Sequence, residues 1–313
     1  MTRIVAAVDF SPLSIEALDY ALDLARATGA EVHAVYVLPW PNAGRFEAPG
    51  GARTAAEEEG AERRRAVDAL RALLTDAADV STDATIRRSR DPVSALTTYA
   101  EAAGADLLVA GACGERCPRL GAVAAELSEA APCDVLLIPP GFVAPEATPR
   151  RVLAAVDGSA ASEPLLAFAF GLAGDLGAAS VDVAHVLEPM PYAARWMQEA
   201  LLGAAPEIRD RATTDLCGLV EAARRQAVRP EAVEVAVHVE RGKAAPALAR
   251  LAEALRTDLL IVGPHAERPA FDRLLGSTAR NVVRRMPCPV LIARRSVAVG
   301  GTPTRPEAVA EAV

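Results

Sequence analysis

The sequence predicts an α/β protein made twice over, as two tandem, doubly wound parallel sheets of five strands each. Three observations carry this. The chain repeats itself: IVAAVDFS at Ile4 to Ser11 returns as VLAAVDGS at Val152 to Ser159, an offset of 148. VYVLP ending at Pro39, GADLLVAG ending at Gly111 and APCDVLLI ending at Ile138 return in the same order. Their second copies are AHVLEP ending at Pro189, RTDLLIVG ending at Gly263 and MPCPVLIA ending at Ala293. Within each copy, short β-branched runs alternate with Ala-, Leu- and Arg-rich helical segments, the pattern of a parallel sheet with helical crossovers. Finally, DLLVAG and DLLIVG are almost continuously apolar, as strands buried on both faces require.

In copy one the expected strands lie near Arg3–Val8, Glu31–Val37, Ser81–Arg88, Asp106–Ala110 and Val135–Ile138. Pro12–Thr28 and Thr54–Ala78 carry apolar residues at helical spacing. Ser11 followed by Pro12 is a helix start, a capping hydroxyl before a residue whose φ is already helical. Glu59 and Arg63 stand four apart and read as a solvated i,i+4 pair. The Pro-punctuated stretch from Gly141 to Arg150 suits a linker, giving domains at 1–145 and 146–297. The remainder, 298–313, is rich in small and turn-forming residues and is expected to be a disordered tail.

A length of 313 residues fits two domains, each able to bury its own core. The net charge of -8 argues against nucleic acid or an anionic membrane as the main partner. The mean hydropathy of +0.19 is slightly positive, yet no apolar run reaches the 18 or so residues that a membrane span needs. MTRIVAAVDF meets an acidic residue at Asp9 and reads as a first strand rather than a signal peptide, so a cytoplasmic location is expected. The 5 cysteines are then expected to be free thiols, and Cys113 with Cys117 lacks the spacing and nearby His of a metal site.

In doubly wound sheets the ligand crevice lies at the carboxyl ends of the strands. Two features fall there in both copies: the Asp closing strand one (Asp9, Asp157) and the Gly closing strand four (Gly111, Gly263). In copy two the loop that follows ends in Gly276-Ser277-Thr278 at the start of a helix. Backbone N–H groups, two hydroxyls and the positive helix end would suit a phosphate. The alternative is that Ser277 merely caps the helix.

These segments resemble the universal stress protein family over nearly all of residues 1–295. The resemblance rests on VDFS and VDGS, the His185-Val186 pair, DLLIVG and GS…MPCPVLIA. It implies a strand order of 3-2-1-4-5 in each sheet, with the last strand pairing against its equivalent in a partner domain. The two copies would then form an internal pseudo-dimer, with a chain-to-chain homodimer as a further expectation. The ATP-binding branch of the family carries Gly-x2-Gly-x9-Gly-Ser/Thr in the same loop, with the Asp and a strand-two Val on the adenine. Copy two supplies Asp157, Val186, Gly263, Gly276, Ser277 and Thr278, and departs only at Ala266, where the pattern has its second Gly. Copy one supplies Asp9, Val37, Gly111, Gly114 and Gly121 more weakly. Its loop is three residues shorter, and Ala122 stands where copy two has Ser277.

The resemblance thus implies a stress-response regulator that binds an adenine nucleotide (ATP, or ADP or AMP, with magnesium as a companion ion) through copy two. A nucleotide-free scaffold of the same fold is the alternative. No Gly-x-Ser-x-Gly elbow, His-Glu-x-x-His or Walker-type phosphate loop occurs, so the chain is not expected to be an enzyme beyond slow incidental ATP hydrolysis.

Overall fold

The computed structural model describes residues 1–39, 55–113, 120–142, 149–188, 205–227, 233–263 and 281–294. Copy one runs β1 (Arg3–Val8), α1 (Pro12–Thr28), β2 (Glu31–Pro39), α2 (Ala55–Leu73), β3 (Thr82–Ser89), α3 (Pro92–Ala103), β4 (Leu107–Gly111), α4 (Ala122–Ala130) and β5 (Asp134–Ile138). Copy two runs β6 (Arg151–Val156), α5 (Ser162–Leu176), β7 (Ser180–Leu187), α6 (Ala205–Gln226), β8 (Glu234–Arg241), α7 (Ala244–Leu255), β9 (Leu259–Val262) and β10 (Val290–Ile292). Residues 281–283 are also helical.

The strands form one sheet of ten, ordered β3-β2-β1-β4-β5-β10-β9-β6-β7-β8. Read inward from each outer edge, each half has the expected 3-2-1-4-5 order, and all pairs within a half are parallel. The two halves meet through β5 and β10, which pair antiparallel with Leu136 opposite Leu291. Their carboxyl edges therefore face opposite ways.

Strand alternation divides the core in two. Ile4, Ala6 and Val8 of β1 point to the face covered by α1 and α2, which continues under α5 and α6. Val5 points to the other face, under α3, α4 and α7. Both cores contain residues of both copies, because Leu136 and Leu291 fill the first while Leu137 and Val290 fill the second.

Local chemistry sets the element ends. Ser11 caps α1 by accepting the Ser14 N–H, and Gly29 ends the helix at φ 69°. Asp91 caps α3 through the N–H groups of Val93 and Ser94. The second helix is shorter than expected: it stops at Leu73, and Leu74, Ala77 and Val80 continue as turns bonded three residues back. Leu74, Ala77 and Val80 stay buried there, so their apolar spacing served the core without extending the helix. Arg63, Arg64 and Arg65 are exposed, while the Glu59 side chain and the tail at 298–313 lie outside the described residues, as does the boundary expected at 145–146. No helix among the described residues is long and apolar enough to cross a membrane.

Candidate functional site

In copy two, Val156 pairs with His185 and Ala155 with Val262. Asp157, Val186 and Gly263 are the residues that follow, so the structure brings them to the same carboxyl edge of β6, β7 and β9. Val186 is half-buried, packed against the α7-side core. The Asp157 carboxylate is held in place: Oδ1 accepts from the Ser159 N–H at 2.9 Å and from Ser162 Oγ at 3.2 Å. Ser162 Oγ in turn accepts the Gly158 N–H at 3.1 Å. Partial burial works to raise the Asp157 pKa, but the bonds from Ser159 and Ser162 outweigh it and hold the carboxyl below its ordinary value. The Ser159 side chain adds to these bonds, and the carboxylate stands as an acceptor at the strand edge.

Gly158 makes the turn after Asp157 at φ 79°, and a Cβ there would lie 3.9 Å from His185 Cε1. The His185 ring is tied by Nδ1 to the Val156 carbonyl at 3.0 Å. The rest of the copy-two proposal (Ala266, Gly276, Ser277 and Thr278) lies outside the described residues.

Copy one repeats the carboxylate device. Asp9 Oδ1 accepts from the Ser11 N–H at 3.0 Å and from Ser11 Oγ at 2.5 Å, while the Asp9 N–H donates to Ser14 Oγ at 3.2 Å. Burial again opposes these bonds, and the net shift is downward. The shared pattern is Asp-x-Ser-x-x-Ser: Asp9, Ser11 and Ser14, then Asp157, Ser159 and Ser162. Sequence reasoning singled out the carboxylates and read Ser11 only as a helix cap, so it missed that these serines hold the carboxylates, although the spacing repeats in both copies.

Around that device the copies differ. Position 10, equivalent to Gly158, is a phenylalanine held at φ 63°. A non-glycine residue there costs about 1–2 kcal/mol. The ring packs edge-on to Tyr36, the counterpart of His185, with centroids 4.9 Å apart. Two aromatic rings thus occupy the corner that copy two leaves to a glycine and an imidazole.

Gly111 sits under α1, and a Cβ there would come within 2.9 Å of Leu13 Cγ. The Gly121 N–H donates to the Ala112 carbonyl at 2.8 Å, and Gly121 caps α4 without a side-chain bond. Val37 is half-buried against the α3 and α4 core. Asp9, Val37, Gly111 and Gly121 are all described, and Gly114 lies outside the described residues. In copy one, then, Leu13 packs over Gly111, the Gly121 N–H is taken by the Ala112 carbonyl, and no hydroxyl caps α4.

The Cys288 thiol is buried, which pushes its pKa up to about 12, and it is no nucleophile at neutral pH. No cluster of three or more metal-binding side chains occurs among the described residues.

Comparison with curated proteins found no match. Solved structures match over nearly the whole chain. One is a universal stress protein from Archaeoglobus fulgidus DSM 4304, with a TM-score of 0.61 and 18% identity over 94% of this chain and 96% of that one. Another is a protein of unknown function from Pseudomonas aeruginosa PAO1, with a TM-score of 0.61 and 19% identity over 94% of this chain and 92% of that one. At such identities they establish the fold alone. The sequence pattern of the universal stress protein family matches residues 1–139 and again residues 148–294. Two matches in tandem cover nearly all of the two halves of the ten-stranded sheet, and the chain belongs to the universal stress protein family.

Proposed function

We propose that the chain is a regulatory protein whose second copy binds an adenine nucleotide, ATP foremost, with ADP or AMP as lesser ligands and magnesium on the phosphates. The observation that carries this is the Asp157 carboxylate. It is positioned by Ser159 and Ser162, and it stands beside Val186 and Gly263 on one strand edge. A carboxylate held ionised accepts from an exocyclic amine, and a half-buried valine offers a surface for a flat base. Gly276, Ser277 and Thr278 supply the phosphate end of this proposal by sequence. The protein acts in this reading by binding rather than by chemistry, in the cytoplasm, with any ATP hydrolysis slow and incidental.

The nucleotide-free scaffold remains the second reading, and the continuous sheet across β5 and β10 favours it. Two measurements separate them. Mass spectrometry of small molecules released from protein purified without added nucleotide should find an adenine nucleotide. Thermal unfolding in ATP and magnesium at a hundredfold excess over the dissociation constant should gain about 2.7 kcal/mol. No co-purifying nucleotide together with no thermal shift would leave the scaffold.

A further inference from the structure

The junction between the two copies is not symmetric, although the strands that make it are. Leu136 opposite Leu291 marks its centre, and these residues are equivalent in the two copies. At one end, the Arg294 N–H donates to Asp134 Oδ1 at 2.6 Å. The Arg294 guanidinium reaches past it to the carbonyls of Ser128 and Glu129, the latter at 2.9 Å. Those carbonyls belong to the last turn of α4, whose own residues cannot satisfy them and which carries no basic side chain. Asp134 is only 7% exposed. At the other end the equivalents are Pro289 for Asp134 and Pro139 for Arg294, and neither can form such a bond. Charge follows the same division, since Glu129 in copy one corresponds to Arg284 in copy two.

A second assembly keeps the number of strand junctions. Two chains could pair β5 with β5 and β10 with β10, forming a closed two-chain dimer. In that arrangement each Asp134 would face Ile138 of the other chain and lose the Arg294 N–H. A buried carboxylate that loses a donor is strongly disfavoured. Each Arg294 would meet the helix end that carries Arg284 and Arg285 in place of Glu129.

We propose that Asp134 and Arg294 are specificity determinants that make unlike copies pair within one chain and disfavour like-with-like pairing between chains. The proposal holds whether or not a nucleotide binds. A contact that merely stabilised the junction would weaken pairing within and between chains alike, and its loss would leave the number of chains per particle unchanged. A specificity contact behaves differently, because its loss favours the other assembly.

The test is the mass of the full-length chain by light scattering after refolding from urea over a range of concentrations. Arg294→Glu should repel Glu129 and Asp134 within the chain but suit Arg284 and Arg285 across a two-chain junction. The ratio of doubled to wild-type mass should rise about tenfold or more, the scale of one charge-assisted bond. Adding Glu129→Arg to that variant should return the wild-type mass. Arg294→Ala, a milder change, should shift the ratio in the same direction and covers the case in which the charge reversal prevents folding. Variants that fold with the wild-type mass at every concentration would overturn the proposal, and so would a Glu129→Arg addition that fails to restore it.

Discussion

Leu13 and Gly111, ninety-eight positions apart, share one volume: a Cβ built on Gly111 would lie 2.9 Å from Leu13 Cγ and 3.2 Å from Leu13 Cδ2. The glycine that closes β4 in copy one thus has a packing reason to be a glycine. Gly111→Ala should destabilise the protein by about 1–3 kcal/mol, the usual cost of overfilling a packed site. Shortening the neighbour should remove that penalty, so in a Leu13→Ala background the same substitution should cost well under 1 kcal/mol. Urea unfolding of the four proteins in this cycle measures the coupling. A penalty of equal size in both backgrounds would mean that Leu13 is not what excludes the side chain.

The turn after Asp157 makes a second prediction. Gly158 stands at φ 79°, where a Cβ is strained even though His185 leaves room for it. Gly158→Ala should cost about 1 kcal/mol in urea unfolding, from backbone strain alone. Copy one tolerates Phe10 at φ 63° because its ring gains an edge contact with Tyr36. Tyr36→Ala should therefore cost more than the loss of an ordinary half-buried tyrosine, since it leaves the Phe10 strain without compensation.

Asp157 gives a pH dependence whose sign is set by its shift. Its folded pKa is lowered, so the carboxylate contributes stability above the unfolded value, and that contribution is lost as pH falls through the folded value. Asp157→Asn should narrow its stability difference from the wild type as pH falls below about 4, the ordinary Asp range. If Asp157 accepts from the base, the substitution should also reduce the preference for ATP over GTP. Guanine places a carbonyl where adenine has its amine, and the native carboxylate should disfavour it about tenfold or more. Titration of both nucleotides into both proteins reads this directly.

The fold was legible because its signals are local and doubled. The β1 and β6 segments, the DLLVAG and DLLIVG runs and the Ser11-Pro12 start each fix an element by their own residues. The errors fall where distant partners decide. Asp134 extends β5 by one residue, where its side chain meets Arg294 across 160 positions of sequence. At the site, Asp9 and Asp157 were readable as acidic strand ends. The contact of Leu13 with Gly111 and the left-handed Phe10 were not, since neither helical periodicity nor residue propensity announces a contact between α1 and β4. The only hint at Phe10 was its alignment with Gly158.

Ala266 and Ser277 test the proposed phosphate end, and together they separate a nucleotide loop from a helix cap. Ser277→Ala removes a hydroxyl that would bond a charged phosphate, so ATP affinity should fall by about 1.5–3 kcal/mol in isothermal titration. AMP should lose less than ATP, because Asp157 and Val186 would still hold the base. Ala266 is the single departure from the family's loop pattern, and restoring Gly tests whether that pattern needs φ above zero there. If it does, Ala266→Gly should tighten ATP binding by about 1–2 kcal/mol, the scale of one strained backbone position. Should the position have φ below zero, the glycine adds only loop entropy, and affinity should be unchanged or slightly weaker. The Ser277→Ala result decides the larger matter. If that variant binds ATP as tightly as the parent, the Gly276-Ser277 turn is a cap alone, and Asp157 must serve a ligand held without it.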